Sequence, residues 1–183
     1  LEVIESVEIL KGKTSGNLWT VCRELSCRML MLAGIGDKDE CGRLVDEAVE
    51  SGEALKRFEM MVKLQGGDVS YIEDTSKFRK ASFSREVYAP ADGYITHMDS
   101  EKIGLTAVLL GAGREKKDDD INHAAGIIIA AKTGDFVKRG ELLATLFADD
   151  ESRLDGAESR YLFAVSIGDK KPAEQPMILD YID

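Results

Sequence analysis

Gly111-Ala112-Gly113-Arg114, running into Glu115-Lys116-Lys117-Asp118-Asp119-Asp120, is the stretch whose residue types best suit chemistry. Two glycines permit positive φ and a close approach of backbone to a ligand. The guanidinium beside them can hold a phosphate or a carboxylate through paired N–H donors. Charge next to glycine hinges is what a lid needs. The same composition also suits a solvated surface turn. It is not a Walker phosphate loop, because the lysine-serine ending is missing.

Other candidate groups are sparse. Glu2, Glu5 and Glu8 are spaced by three, so Glu2/Glu5 and Glu5/Glu8 each share a helix face. A solvated face is the ordinary outcome, and a hard cation held through carboxylate oxygen is the functional one. His97 and His123 are the only histidines. Imidazole titrates near neutrality, but neither lies beside a nucleophile or a second histidine in sequence, so structural or surface roles are expected. His-x-x-x-His, Cys-x-x-Cys and Gly-x-Ser-x-Gly are all absent. Cys22, Cys27 and Cys41 cannot all pair within one chain and match no zinc spacing. They read as reduced, partly buried thiols of a cytosolic protein. Trp19 reads as a packing residue.

The bulk properties restrict the partners. The chain has 183 residues, enough for one or two domains with a real core. It carries 24 Lys plus Arg against 34 Asp plus Glu, a formal charge of −10, so nucleic acid and anionic membranes are poor partners. The apolar run Ile127–Ala131 is far too short to span a bilayer, and no signal-peptide pattern is visible.

The elements that must position these residues change character along the chain. Residues 1–66 read as helical. Leu1, Ile4, Val7 and Leu10 recur at helical spacing, without a visible N-cap, which suggests a chain cut from within a larger protein. A second helix runs from Leu18 to Leu32, with Leu18, Val21, Cys22, Leu25, Met29 and Leu32 as its apolar stripe. Asp39 is the expected cap of a third, ending near Ser51-Gly52, and a fourth runs from Glu53 through Leu55, Phe58, Met61 and Val62 before Gly66-Gly67-Asp68. Residues 67–84 are polar with little periodicity and read as a linker. From 85 to 183 strands dominate: Glu86–Ala89, Gly93–Met98, Gly126–Ile129, Phe136-Val137, Leu142–Phe147 and Ala164–Ile167. Helices are expected at Ser100–Leu110 and from Ala148, and an extended tail from Lys170. The fold class is therefore α+β.

Two segments about forty residues apart, Ala89-Pro90-Ala91-Asp92-Gly93-Tyr94-Ile95 and Gly134-Asp135-Phe136-Val137-Lys138-Arg139-Gly140-Glu141-Leu142-Leu143, are strand–turn–strand pieces of a folded-over, hammerhead-like module. They are similar to biotinyl and lipoyl carrier domains. A carrier displays a modified lysine at a tight turn, whereas Leu146-Phe147-Ala148-Asp149-Asp150-Glu151 has none. A non-catalytic carrier or adaptor remains the alternative from another functional class.

A longer ordered set of motifs resembles the pyrimidine-nucleoside and thymidine phosphorylases. It comprises Leu1-Glu2-Val3-Ile4-Glu5 with Leu10-Lys11-Gly12, Gly52-Glu53-Ala54-Leu55 with Phe58, and Gln65-Gly66-Gly67-Asp68. Ala89-Pro90 with Gly93-Tyr94, Leu109–Arg114, Lys117-Asp118 with Ile121, His123-Ala124 with Gly126-Ile127, and Gly134-Asp135 with Val137 and Gly140 follow in order. The resemblance spans nearly the whole chain. It is looser at Ala148-Asp149-Asp150 and over 153–164, which leaves the substrate open, with an adenosine-monophosphate phosphorylase as a relative of similar architecture.

The resemblance implies reversible phosphorolysis of a pyrimidine nucleoside to free base and (deoxy)ribose 1-phosphate, in a cytoplasmic pyrimidine-salvage transferase. Phosphate is the co-substrate and no organic cofactor is implied. The helices at 1–66 would belong to a larger α/β domain, 67–84 to a linker, and 85–183 to a carboxy-terminal, β-rich, hammerhead-like domain. The catalytic residues, and the α domain that forms the homodimer, would lie upstream of Leu1, so this chain alone is expected to be inactive. Glu5 is the implied potassium ligand. Gly111, Ala112, Gly113 and Arg114 are the implied segment that closes over substrate.

Overall fold

The computed structural model describes residues 1–13, 16–114 and 116–181. The chain is α+β and divides into two compact units. Glu2–Phe78 with the segment from Gln175 forms one, and Arg79–Glu174 with Leu1 forms the other.

The helical unit contains α1 (Glu2–Leu10), α2 (Asn17–Leu32), α3 (Lys38–Glu50), α4 (Glu53–Leu64) and the short α5 (Ser70–Glu73). The cap of α3 is Asp37, two residues before the expected Asp39. Its carboxylate accepts the Glu40 N–H at 2.9 Å. Asp37 is extended, which turns its side chain toward the unpaired amides of the first turn, while Asp39 is already inside the helix. Gly52, at φ +76°, makes the tight reversal between α3 and α4 that a residue with a Cβ would resist.

The expected stripe of α2 is not its packed face. Leu18, Leu25, Met29 and Leu32 are exposed, and Cys27 is the buried residue of the helix. The reason lies in α3, which approaches through the small residues Cys41 and Gly42. A Cβ on Gly42 would sit 2.9 Å from a guanidinium nitrogen of Arg23. That guanidinium makes two 2.6 Å hydrogen bonds to Asp46 and holds the two helices in register. Lys11 spans from α1 to the carbonyls of Ile72 and Glu73 at 2.6 and 3.1 Å, a cation on the carbonyl end of α5. Residues 67–84, expected as a linker, contain α5, a 3₁₀ turn (Thr75–Lys77) and the first strand residues.

The other unit holds β1 (Phe83–Tyr88), β2 (Gly93–Met98), α6 (Ser100–Ala107), β3 (Gly126–Ile129), β4 (Phe136–Val137), β5 (Leu142–Ala148), α7 (Ser152–Ala164) and β6 (Val165–Gly168). They form two antiparallel three-stranded sheets, ordered β1-β5-β3 and β4-β2-β6. The central strand β5 pairs Leu146 with Arg85 on one side and with Ile127 on the other. The two motif segments meet as anticipated: Gly93 pairs with Val137 and Tyr94 with Phe136. Ala89 exchanges backbone hydrogen bonds with the 138–141 turn, donating to Glu141 at 2.8 Å and accepting from Gly140 at 2.9 Å. Asp92 accepts the Arg139 N–H at 2.7 Å.

Helix α7 begins at Ser152, not at Ala148, because Ala148 still pairs with Phe83 in the sheet. Its Leu154, Ala157 and Tyr161 seal a core with Val87, Ile95, Val137, Leu143, Ala144 and Leu146. Gly156 lies inside α7, where a Cβ would be 3.6 Å from Leu109.

Candidate functional site

The candidate loop is built at the end of α6. Asp99 caps that helix, accepting the Lys102 N–H at 3.1 Å. The helix stays regular to Ala107, then widens into a π-type turn over Val108–Ala112 instead of ending cleanly at the expected Leu110. Leu110 is buried and anchors that turn in the core. Gly111 breaks it at φ +106°, a conformation that suits glycine. The Gly111 carbonyl accepts the Asn122 N–H at 2.9 Å. That bond closes a neck, and 112–121 runs out from it and back, with its two ends together as in an Ω-loop.

Within the excursion, Ala112 and Gly113 are half-buried and Arg114 is exposed, with no ion pair among the described residues. Glu115, part of the charged run, lies outside the described residues. Lys116 and Asp119 make a local turn: the Lys116 N–H donates to the Asp119 carboxylate at 2.8 Å and the Asp119 N–H to the Lys116 carbonyl at 3.1 Å. The loop therefore presents one guanidinium and two lysines from a stem that is closed by hydrogen bonds.

The neck is fastened by residues that sequence reasoning did not single out. The Asn122 side-chain oxygen accepts the Ala124 N–H at 3.1 Å and an Arg79 N–H at 3.4 Å, while its amide donates to Asp149 at 2.8 Å. The Asp149 carboxylate also accepts the Ser82 N–H at 2.8 Å and the Ser82 hydroxyl at 3.0 Å, and it pairs with Arg79. These donors, led by the Ser82 backbone N–H, hold the Asp149 carboxyl below its usual range. Arg153 on α7 adds a 3.3 Å hydrogen bond to the Leu109 carbonyl. Asp149 is 27, 67 and 70 positions from its partners. No local spacing rule reaches that far. The available cue was an Asp-Asp pair directly after an apolar strand.

The remaining candidates do not gather with the loop. Glu5 sits exposed on α1. Its neighbour Glu8 is the carboxylate with partners, Lys13 at 3.1 Å and the Thr75 hydroxyl at 3.4 Å, and its carboxyl is lowered chiefly by the hydrogen bond from Lys13. Among the described residues no group of three or more His, Cys, Asp or Glu side chains could hold a metal. His97 is exposed on β2 opposite Ser166, and His123 is exposed in the turn before β3. Cys27 and Cys41 are buried free thiols and Cys22 is exposed. The turn after β5 carries Asp149 and Asp150, committed to Ser82, Arg79, Asn122 and Ser152, where a carrier would display lysine. Among the described residues no helix is long and apolar enough to cross a membrane.

The chain is similar in sequence to known proteins. Residues 94–168 match the family described as the pyrimidine nucleoside phosphorylase C-terminal domain. A pyrimidine-nucleoside phosphorylase of Bacillus subtilis (strain 168) is 39% identical over 153 residues, covering 83% of this chain and 35% of the relative. One of Geobacillus stearothermophilus is 34% identical over 162 residues, 88% of this chain and 37% of the relative. One of Staphylococcus aureus (strain USA300) is 34% identical over 170 residues, 92% of this chain and 39% of the relative. The chain thus spans between a third and two fifths of the length of these relatives.

Proposed function

The chain belongs to the pyrimidine-nucleoside phosphorylase family, as a carboxy-terminal portion of it, and from that premise we propose that it serves reversible phosphorolysis of pyrimidine nucleosides. In that reaction a phosphate oxygen attacks C1′ of the sugar. The C1′–N bond breaks, its electron pair leaves on the base, and the base takes up a proton. The products are free base and (deoxy)ribose 1-phosphate. The observation that carries the reading is that the matched span 94–168 contains the entire glycine loop together with its Gly111–Asn122 neck.

On this reading the reacting atoms are handled by residues outside the chain, and 112–121 closes over the loaded site. Arg114, exposed at the loop's start, draws in the phosphate and offsets its charge. Closure expels water that would otherwise compete with phosphate for C1′. Phosphate is a co-substrate, and no organic cofactor enters the reading. The exposed Leu25, Met29, Leu32 and Leu64 support the helical unit's being part of a larger α/β domain, since such a surface is normally covered. We place the whole enzyme in the cytoplasm as a homodimer formed through a region outside this chain. Glu5 offers one carboxylate for potassium, an incomplete set for a cation of the kind that takes about six or more oxygens. Further ligands would have to come from elsewhere, and the ion carries no step here.

The test assays the full-length parent and this chain side by side for phosphate-dependent release of base from uridine, thymidine and deoxyuridine, with adenosine monophosphate as control. Base release by the parent and silence from the chain are expected. Turnover by the chain alone would overturn its proposed inactivity. A parent that acts only on the nucleotide would replace the substrate. A parent without any phosphorolysis, together with a lysine adduct in the intact mass of the chain, would establish the carrier reading instead.

A further inference from the structure

We propose that Asp149, Asn122 and Arg79 are positioning residues for the 112–121 loop, a side-chain clasp that sets the loop's closed-neck geometry without touching substrate. The inference rests on the reading of that loop as the segment that closes over the site. The loop leaves the core at Gly111 and returns at Asn122, and a single backbone bond of 2.9 Å joins the two. A lone backbone bond at a surface neck opens easily, because water can replace it. Here the returning residue is held a second time through its side chain.

Asp149 directly follows the buried strand β5, whose last residue, Ala148, is fully buried. Its position is therefore set by the sheet. One carboxylate oxygen takes both Ser82 donors, and the other takes the Asn122 amide and Arg79. Asn122 is thus tied to a rigid strand end, and through its own oxygen to Ala124 just before β3. The bonds to a carboxylate are charge-assisted and stronger than neutral ones. The donor pattern is directional: Asn122 gives an N–H and Asp149 receives it. Changing either residue alone to match the other sets like groups face to face. Exchanging both restores a donor–acceptor pair. The amide now at position 149 would donate to the carboxylate now at position 122 and keep an oxygen for Ser82, and Arg79 would still lie beside a carboxylate.

The test uses four variants: Asp149→Asn, Asn122→Asp, the double exchange, and Arg79→Gln. Arg79 is largely exposed, so its loss leaves the core intact. The first readout is the rate of tryptic cleavage at Arg114, Lys116 and Lys117 in this chain, beside its thermal midpoint. The single exchanges should raise loop cleavage about tenfold, because cleavage follows the open population when reclosing is fast. Arg79→Gln should raise it less, and the double exchange should return it towards wild type. The second readout is steady-state kinetics in the full-length parent. The single exchanges should raise KM for phosphate about fivefold with kcat within about twofold, as when a smaller fraction of the protein is binding-competent. Wild-type cleavage rates in both single variants would overturn the clasp. So would a double exchange as sensitive as either single, or midpoints that fall without loop-specific cleavage. Should the wild-type parent lack phosphorolysis, the functional reading fails while the cleavage series still decides whether the clasp exists.

Discussion

The two units of this chain are stabilised in different ways. In the sheet-containing unit, fourteen buried side chains form one cluster that includes Ile95, Leu143, Leu146, Leu154 and Tyr161. In the helical unit, the fully buried apolar side chains among the described residues are Val7, Cys27, Cys41 and Ile72. Leu25, Met29, Leu32 and Leu64 are 59%, 69%, 89% and 81% exposed there, large apolar groups left in water on regular helices. Specific polar ties join the helices instead: Arg23 to Asp46 between α2 and α3, and Lys11 to the carbonyls of α5. Such ties orient helices, and the Arg23–Asp46 pair, open to solvent on both sides, stabilises them by roughly 0–1 kcal/mol. A closed core tolerates the strain of a loop neck, and the loop with its clasp is found in the unit that has one.

The sharpest way to break this comparison is a pair of truncations. Leu146→Ala, at 0% exposure in the middle of β5, should cost about 2–5 kcal/mol in urea unfolding of the sheet-containing unit. Leu32→Ala should change the stability of this chain by no more than about 0.5 kcal/mol. Equal losses would mean that the helical unit has a core of its own. Repeating Leu32→Ala in the full-length parent sharpens the point, since a larger loss there shows that further chain covers that face.

Gly111→Ala should come next, at about 1–2 kcal/mol, because an L-residue at φ +106° is strained. It should accelerate tryptic cleavage of the loop while the midpoint of the helical unit stays put. Uniform destabilisation of both units would show that the neck is not a local feature.

Tyr161→Phe should be neutral or stabilising by about 1 kcal/mol, because its buried hydroxyl has no hydrogen-bond partner among the described residues and the phenylalanine ring keeps the packing. Burial pushes the Tyr161 phenol up to about 12, from an ordinary 10.0. Below the ordinary value the phenol is neutral in both states and stability does not depend on its titration. Between the ordinary value and about 12 the unfolded chain ionises while the folded phenol stays neutral, so stability falls with rising pH. The phenylalanine variant should lose that part of the slope, as alkaline titration of the urea midpoint would record.

A smaller effect than these belongs to the ion pair of the helical unit. Its Arg23 bond holds the Asp46 carboxyl below the ordinary range. The stability it contributes is present above the unfolded carboxylate pKa and is lost as pH falls through the folded one. Asp46→Asn should therefore cost less than about 1 kcal/mol at neutral pH and flatten the acid limb of the unfolding curve. An acid limb identical to wild type would show that the pair does not join α2 to α3 in solution.

Much of the architecture was legible from local chemistry. Gly52 marked the α3–α4 reversal, and the Asp-Gly step at Asp92-Gly93 opened β2. The apolar run of β5 announced a strand, and Gly111 fell where the helix had to break. These features depend on φ preferences and side-chain periodicity, which act over a few residues. The apolar stripe of α2 misled for a reason of the same kind. Periodicity marks a face fit for burial, but only another element can cover it, and α3 approaches the face of Cys27 instead. The start of α7 was misplaced because sheet pairing held Ala148 beyond what helix propensity suggests.

The sequence by itself determined the α+β class, the glycine break at 111, the charged loop after it, and the ordered motifs that mark the family. Each rests on residue identity or short spacing. The tertiary structure alone decided that Asp149, Asn122, Arg79 and Ser82 meet at the loop's neck. Their separations reach 70 positions, so only strand register in the β1-β5-β3 sheet could bring them together.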